Sequence, residues 1–194
     1  MEIGKDTYIS LKHQKEDYKC LKLSVISEKA SWEKAIIIFD NRLRGRFINP
    51  IKEWVKTEDE AYAFSVMAIE CLLVETLYQF KKGLDKTENS TKNYPKFLEE
   101  ILIDPSYSLD IRERFYREIR CGILHSGQTK KNSSLNYDKN EVITLDEDRM
   151  SVNVEIFLDL IEKYFEKYKT DLLDENNADL RKAFIKKMNF ICDK

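Results

Sequence analysis

Arg120-Cys-Gly-Ile-Leu-His125 sets a guanidinium and an imidazole five positions apart near the end of an amphipathic stretch. Arg presents a planar fork of donors suited to a phosphodiester. A neutral imidazole can take a proton from a hydroxyl or return one to a leaving oxygen. Together they are the minimum equipment for metal-independent RNA cleavage. On a regular helix five residues turn ~500° and advance ~7.5 Å, so the two side chains point ~140° apart. A helix that loosens at Gly122, with the reach of Arg120, would bring both heads to one groove. Spacing alone favours a plainer alternative, in which Arg120 pairs with a helix acid and His125 merely ends the helix.

Other chemistries lack their parts. Gly122-Ile-Leu-His-Ser-Gly127-Gln128-Thr129 has the outline of a phosphate loop, but Gln stands where Lys is needed. That loop also needs a buried strand before it, whereas Arg112–Arg120 reads as a charged amphipathic helix. No G-x-S-x-G elbow for a nucleophilic serine is present. His13 and His125 are the only histidines and no C-x-x-C accompanies them, which argues against structural zinc. No cofactor is expected.

The elements that must position the pair come from a chain of 194 residues, one ordinary domain's worth. Hydrophobic types make up 42%, and 33 basic against 35 acidic residues leave a net charge of −2. Any nucleic-acid contact must therefore come from a local patch. Five Gly and three Pro are scarce for a sheet-rich or dinucleotide-binding fold and point to long helices. Cys20, Cys71, Cys121 and Cys192 lie far apart, and Met1–Asp6 is polar and mixed in charge; free thiols in a reducing cytoplasm are the expectation.

Residues 1–26 are weakly patterned and read as an arm. Helical spacing runs from Trp32 to about Phe47, with Asn49-Pro50 expected to end it. Thr57-Glu-Asp-Glu60 has the form of a capping box before the apolar run Ala61–Phe80. That run approaches a bilayer span, but Glu70 and Glu75 in its middle would each cost ~2–3 kcal/mol or more in lipid. A central buried helix fits better, and no membrane partner is expected. Lys81-Lys82-Gly83 closes this helix, residues 84–94 read as a loop, and a short helix is expected from Pro95 to about Ile103.

Ser108 then caps a helix with the stripe Ile111, Phe115, Ile119 and Ile123, and Gln128–Asn140 reads as a polar loop. Val142–Leu145 and Met150–Val154 flank Asp146-Glu-Asp-Arg149 as a hairpin. Asn153 would cap a helix whose inner face runs from Ile156 to Tyr168, and a last helix starts near Ala178. Without an internal repeat or composition break, 1–194 reads as a single all-α domain with a small β-hairpin insertion before the last two helices.

The motif and its setting resemble the HEPN superfamily. Arg120–His125 at the end of a bundle helix looks like that superfamily's R-x(4-6)-H signature. Ala68–Gly83 followed by Phe115–His125 resembles a poorly characterised bacterial HEPN-like group, with most of residues 55–190 in its layout. The resemblance implies a HEPN-like helical bundle and a homodimer whose motifs meet across the motif helix. It also implies a metal-independent endoribonuclease of bacterial defence, toxin–antitoxin or abortive-infection systems. Arg120 and His125 would be its catalytic residues, 2′,3′-cyclic phosphate its product ends, and RNA with an antitoxin or effector protein its partners. Some HEPN proteins are instead non-catalytic modules that bind RNA or a partner protein. Active members often carry Asn directly after the arginine, where this chain has Cys121, and a thiol is a weak hydrogen-bond partner.

An ionised carboxylate on a largely apolar helix is expensive unless paired. Glu70 or Glu75 could therefore hold Arg120 through a bidentate pair, with a solvated helix edge as the alternative. The resemblance favours Glu75 as the supporting acid. Between Arg112 and Lys131, six basic residues face two acids. Lys130, Lys131, Arg117 and Tyr116 are thus candidate RNA-binding residues. Tyr116 serves equally as a core or interface aromatic. Arg42, Arg44 and Arg46 read as an exposed helix face.

Overall fold

Helices occupy most of residues 7–138 and 140–193, which a computed structural model describes. Helices α1 (Lys15–Lys19) and α2 (Lys29–Leu43) lead through a π turn at Arg44–Ile48 into α3 (Asn49–Val55). Then come α4 (Glu60–Lys82), α5 (Ser90–Ile101) and α6 (Leu109–Phe115), a second π turn at Tyr116–Arg120, and α7 (Cys121–Ser126). Strands β1 (Ser134–Asn136), β2 (Ile143–Asp146) and β3 (Arg149–Asn153) precede α8 (Val154–Leu173) and α9 (Ala178–Cys192). The chain is mostly α with a small sheet. It divides into two compact units, one formed by residues up to Pro50, Gln79–Lys86 and Glu166 onward, the other by Ile51–Tyr78 and Thr87–Phe165.

The first unit is built on aromatic contacts: Phe39 lies 4.3 Å from Phe80 and 5.3 Å from Phe184, ring centre to ring centre, and Trp32 lies 5.7 Å from Phe184. Gly83 (φ +63°) ends α4 as the lysines and glycine forecast, with Leu84 N–H donating to the Gln79 carbonyl at 2.9 Å. Two expectations fail in this unit. Asn49-Pro50 does not end the helix: Asn49 N–H donates to the Arg44 carbonyl five residues back, and the widened turn carries the chain past a residue with no N–H to give. The arginine cluster is no free face, because Arg42 donates to the Ile9 carbonyl at 2.6 Å and Arg46 to the Tyr8 carbonyl at 3.0 Å. Arg44 pairs with Asp40 at 3.1 Å and with Glu166. Burial first, and then the charge of Arg46, pull the Arg42 pKa down to about 10. These bonds dock the N-terminal arm from Tyr8 onward, with Ile9 and Tyr18 buried; residues 1–6 of the expected arm lie outside the described residues.

The second unit carries the motif. Asp59, rather than Thr57, caps α4: its Oδ1 accepts the Ala61 N–H at 2.9 Å, while Thr57 Oγ1 donates back to the Trp54 carbonyl at 2.7 Å. By length and composition α4 could cross a membrane. Helix α5 starts at Ser90, earlier than the Pro95 the sequence suggested, because Asn89 turns the backbone left-handed (φ +47°) ahead of it. Ser108 and Asn153 cap α6 and α8 as expected, accepting the N–H groups of Ile111 at 3.4 Å and Ile156 at 2.9 Å. Strand β3 pairs antiparallel with β2 (Asp146 opposite Arg149), which is the expected hairpin, and parallel with β1 (Ser134 opposite Ser151). Strand β1 falls inside the segment read as a loop; its Ser and Asn are weak strand formers that only pairing with β3 holds extended. Met150 and Val152 are buried while Arg149 and Ser151 point the other way, the alternation of a one-sided sheet.

Candidate functional site

The motif helix is continuous from α6 through the π turn into α7. Phe115, Ile119 and Ile123 of its stripe are buried, and Phe115 lies 5.1 Å from Phe157 of α8, ring centre to ring centre. Loosening occurs at Tyr116–Arg120, where Cys121 N–H donates to the Tyr116 carbonyl, and not at Gly122. Gly122 has another role. A Cβ there would meet the Gln128 carbonyl oxygen at 2.5 Å and Lys130 N at 3.1 Å, so its bare backbone lets the chain return across the helix. That return follows the left-handed Gly127 (φ +62°) that ends α7 and is pinned by Lys130 N–H donating to the Glu118 carbonyl at 2.9 Å.

Arg120 and His125 do come together: Nη1 lies 3.4 Å from the imidazole Nε2. A guanidinium can only donate, so this contact leaves the Nε2 lone pair as acceptor and the imidazole proton on Nδ1. His125 is exposed. Glu75 of α4 orients the arginine, accepting from Nη2 at 2.7 Å, with the Arg120 side chain 12% and that of Glu75 23% exposed. The pair is single-pronged rather than bidentate, and Arg120 Nε is buried with no partner. Burial works against the arginine's charge, but the hydrogen bond and charge of Glu75 outweigh it and hold the guanidinium's pKa above its ordinary value. Rings stand near the cation, with Tyr116 5.5 Å and Tyr94 6.0 Å from Cζ. Tyr116 is buried and its hydroxyl shares a 2.9 Å hydrogen bond with Ser90.

Glu70, the second acid weighed as Arg120's partner, does not reach it. It is fully buried, neither carboxylate oxygen has a partner, and burial pushes its pKa well above the usual carboxylate range.

The basic excess read along 112–131 is halved in space, because Glu99 and Glu75 join Glu113 and Glu118 opposite its six cations. Arg112 pairs with Glu99 at 3.0 Å, Arg114 with Glu118 at 2.9 Å, Arg117 with Glu113 at 3.6 Å and Lys131 with Glu118 at 3.3 Å. Lys131 therefore serves Glu118, while Lys130 stands exposed. Burial would raise the Glu118 pKa, but the hydrogen bonds from Ser133 (2.5 Å) and Arg114 outweigh it and lower it. Glu118 thus ties segment 130–133 to the motif helix. Sequence reasoning missed this acid, and its signal was its place between Phe115 and Ile119 on the apolar side.

Among the described residues no group of three or more His, Cys, Asp or Glu side chains could hold a metal ion. No family model matches the chain, and comparison with curated proteins and with solved structures found no match.

Proposed function

We propose that this protein is a HEPN-like, metal-independent endoribonuclease that works as a homodimer through the motif helix. The observation that carries the reading is the Glu75–Arg120–His125 arrangement, an oriented guanidinium beside an exposed imidazole with its Nε2 lone pair directed at the cation. His125 Nε2 takes the proton of a ribose 2′-hydroxyl, whose oxygen then bonds to the adjacent phosphorus. The P–O5′ bond breaks and the leaving oxygen takes the proton back from His125, giving 2′,3′-cyclic phosphate and 5′-hydroxyl ends. Arg120 offsets the charge that builds on the phosphoryl oxygens by turning its Nη1–H from His125 Nε2 to the phosphate, which frees that lone pair to take the proton while Glu75 keeps Nη2. Leu72 on α4 and Leu124 beside His125 are 40% and 41% exposed, apolar surface next to the site that a second copy would cover. Bacterial defence in the cytoplasm, with an antitoxin or effector protein as a further partner, completes the reading.

The rival is a non-catalytic module that binds RNA or a protein, and Cys121 in place of a stronger hydrogen-bonding residue is the observation that favours it. Purified protein incubated with single-stranded RNA and a strong chelator decides between them. Cleavage that His125→Ala abolishes without unfolding the chain supports the nuclease; general acid–base groups supply ~10²–10⁴-fold in rate, so the loss is plain on a gel. A broad panel of RNAs left intact, with or without divalent metals, sinks it. Light scattering that shows a strict monomer removes the dimer.

A further inference from the structure

We propose that a cationic pocket beside the motif, formed by Lys92, Lys96 and Arg117, holds the phosphodiester backbone of single-stranded RNA next to the reacting phosphate. The assignment rests on the nuclease reading of the Arg120–His125 pair and adds the path by which RNA reaches it. Lys92 and Lys96 are four apart on α5 and share one exposed face. Together with Arg117 and the ring of Tyr116 they line a pocket of about 300 Å³. Glu113, the one acid lining it among the described residues, lies 3.6 Å from Arg117 with both side chains largely exposed, a pairing worth ~0–1 kcal/mol that a phosphate can displace. Tyr116 is a common wall: it lines the pocket, and its ring centre is 5.5 Å from the Arg120 guanidinium. Phosphates seated on the lysines would be neighbours, across that ring, of the phosphate at Arg120.

Charge past the end of the motif helix gives the path its direction. Beyond His125, the segment at Gln128 enters a larger groove of about 770 Å³, lined among the described residues by the acids Glu58, Glu60, Asp138 and Asp146 and by the cation Arg149. A polyanion is repelled there and drawn toward α5. Lys92 and Lys96 escaped the sequence reading because they lie in a stretch taken as loop and short helix, about two dozen positions before the motif.

The test is fluorescence anisotropy of a 5′-fluorescein oligouridylate with the His125→Ala protein, which binds RNA without consuming it. Lys92→Glu with Lys96→Glu should weaken binding about tenfold or more at roughly 50 mM salt. The double change should also reduce the slope of log affinity against log salt by ~1.4, about 0.7 per lost phosphate contact. Lys92→Gln with Lys96→Gln should act in the same direction and less strongly, and Lys163→Glu on α8 should leave affinity within about twofold. Unchanged affinity and slope in the lysine variants, or no RNA binding by the His125→Ala protein at low salt, overturns the pocket. If the lysine changes abolish binding while the unaltered protein cuts no RNA, the pocket stands and the nuclease reading falls. Cleavage that persists with binding untouched by those changes leaves the reverse.

Discussion

Glu75 and Arg120 are 45 positions apart in the chain and 2.7 Å apart in space, joined by one charge-assisted hydrogen bond. The bond satisfies the carboxylate that α4 presents and fixes the guanidinium against the rings of Tyr94 and Tyr116. Glu75 does not reach His125; it acts through the arginine, as a positioning residue.

Glu75→Gln keeps shape and removes charge. A hydrogen bond between charged partners contributes ~1.5–3 kcal/mol, so RNA cleavage should fall about tenfold or more, chiefly in kcat, while circular dichroism stays native. Equal rates for the two proteins would show that Arg120 holds its place without Glu75.

Gly122→Ala decides between two signs. Were Gly122 an ordinary helix residue, alanine would stabilise α7 by ~1 kcal/mol. The 2.5 Å approach of the Gln128 carbonyl, which is backbone and cannot rotate away, predicts instead a loss of ~1–3 kcal/mol in chemical denaturation. A rise in Tm would show that the return strand yields easily.

Glu70 makes stability depend on pH. Burial raises its folded pKa, so the folded chain keeps the proton at pH values where the unfolded chain has lost it. Stability is then full below the unfolded pKa of ~4.3 and declines as pH rises toward the folded value, by at most ~1.4 kcal/mol per pH unit. Glu70→Gln cannot ionise, so the stability of variant relative to parent should climb between pH 4 and 8 in parallel urea melts. A constant difference across that range would remove the claim.

Arg181 is 1% exposed in the first unit and donates to the carbonyls of Leu172 (2.9 Å), Leu173 (3.0 Å) and Val25 (3.0 Å), with Cζ 4.7 Å from the Trp32 ring centre. It closes the C-terminal turn of α8 with a cation where the helix dipole is negative. Arg181→Met leaves those acceptors unmatched, at ~1–3 kcal/mol for each one left buried, so a loss of ~3 kcal/mol or more is expected. A shift below ~1 kcal/mol in urea denaturation would mean that water replaces the guanidinium.

Cys121→Asn tests the rival reading. If the unaltered protein cuts RNA weakly or not at all, the stronger hydrogen-bonding amide beside Arg120 should raise cleavage in the presence of chelator. No gain in a variant that folds and binds RNA would clear Cys121 of silencing the site.

What could be read from the chain alone were the features decided within a few residues. Apolar periodicity marked α2, α4, α8 and α9. Ser108, Asn153 and Gly83 marked the helix ends where the structure has them, because capping is a contact between near neighbours. The hairpin of β2 and β3 was legible for the same reason, since a tight turn brings adjacent segments into register. The candidate pair Arg120 and His125 was legible from residue type and spacing.

The rest depended on partners distant in sequence. Glu70 and Glu75 both sit among apolar residues of α4; tertiary packing brings one to Arg120 and seals the other away from any hydrogen-bond partner. In the basic run at 112–131, Arg114 and Arg117 pair with acids four residues away, but Arg112 and Arg120 are matched only by Glu99 and Glu75 arriving from α5 and α4. Strand β1 exists because β3 offers it a ladder, and Gly122 matters because a returning backbone crosses it. Local chemistry determines which turns and helices form. Only the folded chain sets which charges meet and which stand bare, since a Coulomb or hydrogen-bond contact acts through distance in space, not along the chain.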